Sequence, residues 1–182
     1  MTKQQNARPP VETGGSATRL LLALVLAAEL GHFPGAAAAG AAGQEMPSFE
    51  LVTFAGEVYS DKSLKGRPTL LVFWAPWCNV CQKELPLLEQ FYRHKKPSQL
   101  RVLSIGFADT RANVEAFVKG RPGIFVFPTG YDEDRWVANA FRVNATPTYV
   151  LVDVRGNIVH VHRGGGLLQS AQFREFLTAL NG

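Results

Sequence analysis

The sequence predicts an α/β domain built on a central mixed sheet with helices on both faces. Three observations carry this. From Leu70 onward, strand-like and helix-like segments alternate, the order expected when helices cover a sheet. Leu70 to Trp74 is an unbroken apolar run, as in a strand buried on both faces. Near the C-terminal end a hairpin turning at Arg155-Gly156-Asn157 is followed by a last amphipathic helix, which makes the sheet mixed rather than wholly parallel.

Each element has its own signal. Residues 1–43 read as a secretory signal peptide or an N-terminal tether, ahead of one domain over residues 44–182. Lys3, Arg8 and Arg19 supply positive charge, Leu20 to Ala28 is a short apolar run, and the small residues Ala37 to Gly43 offer cleavage sites. Nine apolar residues before Glu29 fall short of the ~20 that span a membrane. Phe49 to Phe54 and Val58 to Ser60 form a strand pair about the Ala55-Gly56-Glu57 turn. Asp61 to Pro68 is a loop or a helical turn.

Leu70 to Trp74 is the buried strand, and Val80 to His94 a helix with Leu85, Leu88, Phe91 and Tyr92 at helical spacing and Pro86 expected to kink it. Arg101 to Phe107 is a strand, Arg111 to Lys119 a helix closed by Gly120, and Ile124 to Phe127 a brief apolar piece. A third helix is expected over Asp132 to Phe141, its acidic start matching the helix dipole and Trp136, Val137, Ala140 and Phe141 facing inward. Thr148 to Val152 and Ile158 to His162 pair as strands, Gly164 to Gly166 is a loop or hinge, and Gln169 to Leu180 the terminal helix.

Composition narrows the function. The 182 residues are 46% hydrophobic, enough for a real core, and the net charge of +4 is scattered without a basic run that would suit nucleic acid. Two cysteines cannot staple a small secreted scaffold. They also fall short of a four-ligand zinc site, since His32, His94, His160 and His162 supply no second half of a finger pattern. His160 and His162 alternate along one strand and share a side, but no metal site is expected there.

The chemistry concentrates at Trp77-Cys78-Asn79-Val80-Cys81, where a strand hands over to a helix. Backbone N–H groups at a helix start lack intrahelical partners and carry partial positive charge. A thiol placed there ionises more readily, and the thiolate is the reactive species. Cys81, three residues on, can close an intramolecular disulfide with Cys78. The stretch therefore reads as a dithiol redox centre that needs no cofactor beyond the Cys78–Cys81 disulfide.

With this motif, Pro86 five residues beyond it and Thr146-Pro147 ahead of a late strand, the chain resembles the thioredoxin superfamily. The leading segment, the early strand pair, Phe73-Trp74-Ala75, Lys83-Glu84-Leu85-Pro86 and a helix–strand insertion before Thr146-Pro147 are similar to the TlpA/ResA/DsbE-like extracytoplasmic thiol–disulfide oxidoreductases. The resemblance, over roughly Pro47 to Leu180, implies a thioredoxin fold with an N-terminal strand-pair extension and a central helix–strand insertion. It implies Cys78 as the attacking thiol, Cys81 as the resolving thiol, Trp77 beside the pair, and Pro147 as a cis-proline with the Thr146 backbone pairing to substrate.

Val72 stands where the general pattern has a buried acid. Glu84 is then the candidate for proton handling, on the general ground that a carboxyl partly withdrawn from water holds its proton more tightly, with Asp109 second. The resemblance further implies export to the periplasm or another extracytoplasmic space, protein disulfides as substrates, reduction of apocytochrome c during cytochrome c maturation, and a membrane thiol-electron carrier of the DsbD/CcdA type. A maturation factor for one secreted disulfide-rich or metal-containing enzyme, and a redox-inactive binding module, are the alternatives.

Overall fold

A computed structural model describes residues 43–180; the expected leader, residues 1–42 of it above all, lies outside the described residues. Among the described residues eight strands and five α-helices follow one another. β1 is Gln44–Glu45, β2 Glu50–Val52, β3 Val58–Ser60, α1 Asp61–Leu64, β4 Thr69–Trp74, α2 Asn79–His94 and β5 Arg101–Gly106. α3 is Arg111–Lys119, β6 Thr129–Tyr131, α4 Trp136–Ala140, β7 Thr148–Val152, β8 Asn157–Arg163 and α5 Ala171–Ala179. Six strands form one sheet in the order β1-β8-β7-β4-β5-β6, and β2 and β3 form a separate hairpin. β4 pairs parallel with β5 and antiparallel with β7, so the expected mixed sheet is observed.

β4 is central because all six of its residues are buried. Its side chains alternate between two cores, as strand geometry requires. Leu70, Val72 and Trp74 point to the layer holding α2 and α5, with Leu85, Leu88, Phe91, Phe173 and Phe176. Leu71 and Phe73 point to the opposite layer, with Leu51 of the hairpin, Leu64 of α1 and Val137 of α4. Trp74 donates from Nε1 to Ser104 Oγ at 2.7 Å, which satisfies both buried groups. Gly106 is required beside it, because a Cβ there would lie 2.4 Å from Val114 Cγ1.

The structure departs from expectation at four places. Gln44–Glu45 adds an edge strand on β8 that two polar residues do not announce. The strand before α4 is Thr129–Tyr131, beyond the brief apolar piece Ile124 to Phe127, from which Pro128 separates it, and Gly130 admits the close approach of Val52 O. The helix expected over Asp132 to Phe141 is broken. Asp134 and Arg135 take positive φ values of 52° and 59°, so a 3-10 turn at Glu133–Arg135 precedes a five-residue α4. That break turns Trp136 outward at 72% exposure, correcting its placement on an inward face, while Phe141 is buried as expected. At the C-terminal end a 3-10 turn, Leu167–Gln169, leads to Ser170, whose side chain caps α5.

Candidate active site

Cys78 is the N-cap residue of the 16-residue α2. Its backbone is extended, and its Sγ accepts the Cys81 N–H at 3.0 Å. The turn joining β4 to α2 is closed by the Cys78 N–H on Ala75 O at 3.2 Å and by the Gln82 side-chain amide on Pro76 O at 2.8 Å. Cys78 and Cys81 form a disulfide with Cα atoms 5.2 Å apart. Cys78 retains 5% exposure against 1% for Cys81, so Cys78 is the sulfur nearer to an incoming partner. On reduction, the Cys81 N–H and the helix start would stabilise negative charge at Cys78 Sγ.

Trp77 is 59% exposed, and its Nε1 donates to Ala108 O at 2.9 Å. It therefore stands on the surface beside the disulfide, held by one hydrogen bond rather than packed into the core. The Thr146–Pro147 bond is cis, as expected. Register places it: Thr148 of β7 pairs with Phe73 of β4, so Pro147 lies at the β4 end from which Cys78 follows. The Gly164 N–H donates to Pro147 O at 2.8 Å, and the Thr148 hydroxyl to Ala145 O at 2.8 Å.

Glu84 sits one helical turn beyond Cys81, on the same side of α2. It is half-buried, and its partners are not the neighbouring cations of a solvated helix charge. Oε2 accepts the Gly166 N–H at 3.0 Å and lies 3.5 Å from the Tyr149 hydroxyl, a long contact. Val72 is buried in register with Tyr149. The strand position where an acid is expected thus holds an apolar side chain beside a phenol. Burial, and after it the charge of Glu84, push the Tyr149 phenol above the usual tyrosine range. The phenol therefore keeps its proton and acts as a donor. Asp109, the second candidate, is engaged at the start of α3: its Oδ1 accepts the Thr110 N–H and the Asn113 side-chain amide, both at 2.7 Å.

Among the described residues no group of three or more His, Cys, Asp or Glu side chains could hold a metal ion. His160 and His162 do share a side of β8, with ring centroids 6.2 Å apart. His162 is committed to Gly165 O at 2.9 Å from Nε2. His160 has a buried Nε2 without a partner among the described residues, and burial, then His162, holds its imidazole below the ordinary histidine range.

The sequence marks Gly164 to Gly166 as a loop or hinge and gives neither that loop nor Tyr149 a place in the site. Tyr149 had one available signal, because a buried tyrosine hydroxyl usually finds a polar partner. The loop had its three consecutive glycines and nothing to say what they approach.

Comparisons with known proteins agree with this geometry. The AhpC/TSA family matches residues 42–161. The thiol-disulfide oxidoreductase ResA of Bacillus subtilis (strain 168) is 32% identical over 122 residues, covering 67% of this chain and 67% of the relative. The solved structure of MTB dsbF in its mixed oxidized and reduced forms superposes with a TM-score of 0.60 at 32% identity, covering 72% of this chain and 94% of that one. StoA from Bacillus subtilis gives a TM-score of 0.62 at 26% identity, covering 72% and 97%. With the dithiol at the head of α2 and a cis-proline beside it, the chain belongs to the AhpC/TSA family, as a thioredoxin-fold thiol–disulfide oxidoreductase of the ResA-like kind.

Proposed function

We propose that the chain works outside the cytoplasm as a protein-disulfide reductase, of the type that keeps apocytochrome c thiols reduced before haem attachment. One observation carries the reading: Cys78 caps a long helix and accepts the Cys81 N–H, while Cys81 lies behind it out of solvent. That asymmetry supports the order of the two steps. The Cys78 thiolate attacks one sulfur of a substrate disulfide, forming a mixed disulfide and releasing the other sulfur as a thiolate. The Cys81 thiolate then attacks Cys78 Sγ, and the second substrate sulfur leaves. The substrate gains two electrons, and the Cys78–Cys81 disulfide is formed. Glu84 takes up or returns the proton of Cys81 from one turn along α2, and the exposed Trp77 with the Thr146-Pro147 segment receives the substrate chain.

Among the described residues no helix is long and apolar enough to cross a membrane. Each turnover leaves Cys78–Cys81 oxidised, so re-reduction needs an outside donor, for which a membrane thiol carrier of the DsbD/CcdA type is the proposed partner. Direction follows the potential of the pair against that of the compartment.

Insulin reduction by the wild type and Cys78→Ser tests the chemistry; equal turnover would remove the reading. A Cys81→Ser variant should hold its physiological partner as a mixed disulfide, and capture of apocytochrome c would identify the substrate. The reduction potential of Cys78–Cys81 tests direction. A value approaching the ~−120 mV of a strongly oxidising dithiol would make the protein an oxidant.

A further inference from the structure

The Gly164-Gly165-Gly166 run meets Glu84 closely enough to be a built feature. Gly164 and Gly166 have φ values of +88° and +87°, a left-handed conformation that favours glycine. Gly165 is required for a different reason. A Cβ on it would lie 2.8 Å from Glu84 Oε1, 3.1 Å from Glu84 Cδ and 3.2 Å from Val80 Cγ1. The bare backbone thus lies flat against the carboxylate.

Each glycine also has a tie. The Gly164 N–H donates to Pro147 O at 2.8 Å, and the Gly166 N–H to Glu84 Oε2 at 3.0 Å. Between them Gly165 O faces His162 Nε2 at 2.9 Å. A carbonyl only accepts, so His162 donates from Nε2–H there. Beyond the loop, Leu167 is fully buried and anchors the chain before α5.

We propose that this triglycine loop, latched by His162, is a positioning device that holds the Glu84 carboxylate in register with the cis-proline wall of the active site. The loop joins two parts of the site that are otherwise separate: Pro147 on the β7 side and Glu84 on α2. The glutamate has three torsions to fix, and without the loop only the long contact to Tyr149 would orient it. His162 acts through the loop and touches no reacting atom. The titratable groups nearest Glu84 are Tyr149 from β7 and, one turn back along α2, Cys81, with its partner Cys78 at the N-cap of the helix. His162 lies behind the loop, near Tyr149 and His160.

The inference rests on Glu84 serving the exchange reaction, and the test separates the two ideas. Insulin reduction by the full chain is followed from about pH 5 to pH 9, the range in which an acid–base group reveals itself in a rate profile. Glu84→Gln should change that profile. Gly165→Ala should change it in the same sense, because the atom an added methyl meets first is the movable end of Glu84, so the carboxylate gives way and the fold is kept. The double variant should be no worse than Glu84→Gln alone, a non-additivity of about twofold or more expected for groups in contact.

His162 variants reach the loop without adding bulk. His162→Val should reproduce part of the Gly165→Ala change, and His162→Gln, which keeps an N–H for Gly165 O, should restore the wild-type profile. A changed profile in Glu84→Gln with wild-type behaviour in Gly165→Ala and His162→Val, or full additivity in the double variant, overturns the positioning device and leaves Glu84 its role. A Glu84→Gln profile identical to wild type removes Glu84 from the chemistry and overturns both.

Discussion

Two of the carboxylates that accept backbone N–H groups, Asp132 and Glu84, lie on opposite layers of the sheet and are built differently. Asp132 belongs to the α4 side. It is 2% exposed, and its two oxygens accept the N–H groups of Val137 and Ala138, both at 2.8 Å. Its partners lie five and six residues away, and both oxygens are consumed. Glu84 belongs to the α2 side. It is half-buried, its bonded partners are 65 and 82 residues away, and both reach Oε2. Oε1 faces only the bare Cα of Gly165 among the contacts of that loop. A local carboxylate with both oxygens filled holds a turn together. A carboxylate gathered from distant segments, with one oxygen unbonded among the described residues, is held in place by the fold rather than by its own turn.

That contrast is open to direct tests. The largest effect is expected from Asp132→Ala, which strands two buried N–H groups and should cost about 1–3 kcal/mol per unsatisfied group at most, less where water enters. Urea unfolding would show the loss, and insulin reduction per folded molecule should be unchanged. Glu84→Gln should do the reverse, slowing exchange by roughly tenfold or more while the urea midpoint barely moves. A stability loss in Glu84→Gln as large as in Asp132→Ala would erase the distinction.

A smaller, pH-dependent difference should separate the wild type from Asp132→Asn. Burial raises the Asp132 carboxyl above the usual aspartate range, opposed by the Ala138 and Val137 N–H groups. The native state therefore holds this proton more tightly than the unfolded chain. The group's contribution is fully present below the unfolded value of about 3.9 and is lost as pH rises through the raised native one. Over that window the wild type should lose stability relative to Asp132→Asn; a constant difference would contradict the assignment.

Tyr149→Phe should cost under about 1 kcal/mol, since the phenol contact it removes is long. At alkaline pH neither this variant nor the wild type should show a step from the Tyr149 phenol in its exchange rate, because burial and Glu84 keep the phenol protonated. Trp136→Ala should be smallest of all, within about 0.5 kcal/mol, given how little of that ring is covered.

The same contrast explains what could be read from sequence. The dithiol at the strand–helix junction was legible because neighbouring residues signal it, the mixed sheet because its strands and helices alternate along the chain, and the cis Thr146–Pro147 bond only through the family resemblance. Trp136 was misplaced because two consecutive residues of positive φ, Asp134 and Arg135, shift the helix phase, and neither residue type announces that. The edge strand at Gln44–Glu45 exists because β8 offers it partners at Asn157 and Ile158, more than 110 residues away, not because of its own two side chains. The Glu84 cradle was invisible for the reason that makes it interesting. Three glycines read as a loop until the chain that lies against them is known.

The three tryptophans, Trp74, Trp77 and Trp136, also make the molecule its own optical instrument. Trp74 is fully enclosed, with its indole N–H on a serine hydroxyl, and will emit at short wavelength and resist collisional quenchers. Trp136 is open to solvent far along the chain, so it supplies a red-shifted signal that iodide extinguishes. Trp77 is also exposed, though less than Trp136, and sits next to Cys78 in the chain, so its emission should respond to the opening and closing of the disulfide. Deleting Trp136, the substitution with the least structural consequence, leaves one dark-side reference and one redox-sensitive dye in a protein that needs no label.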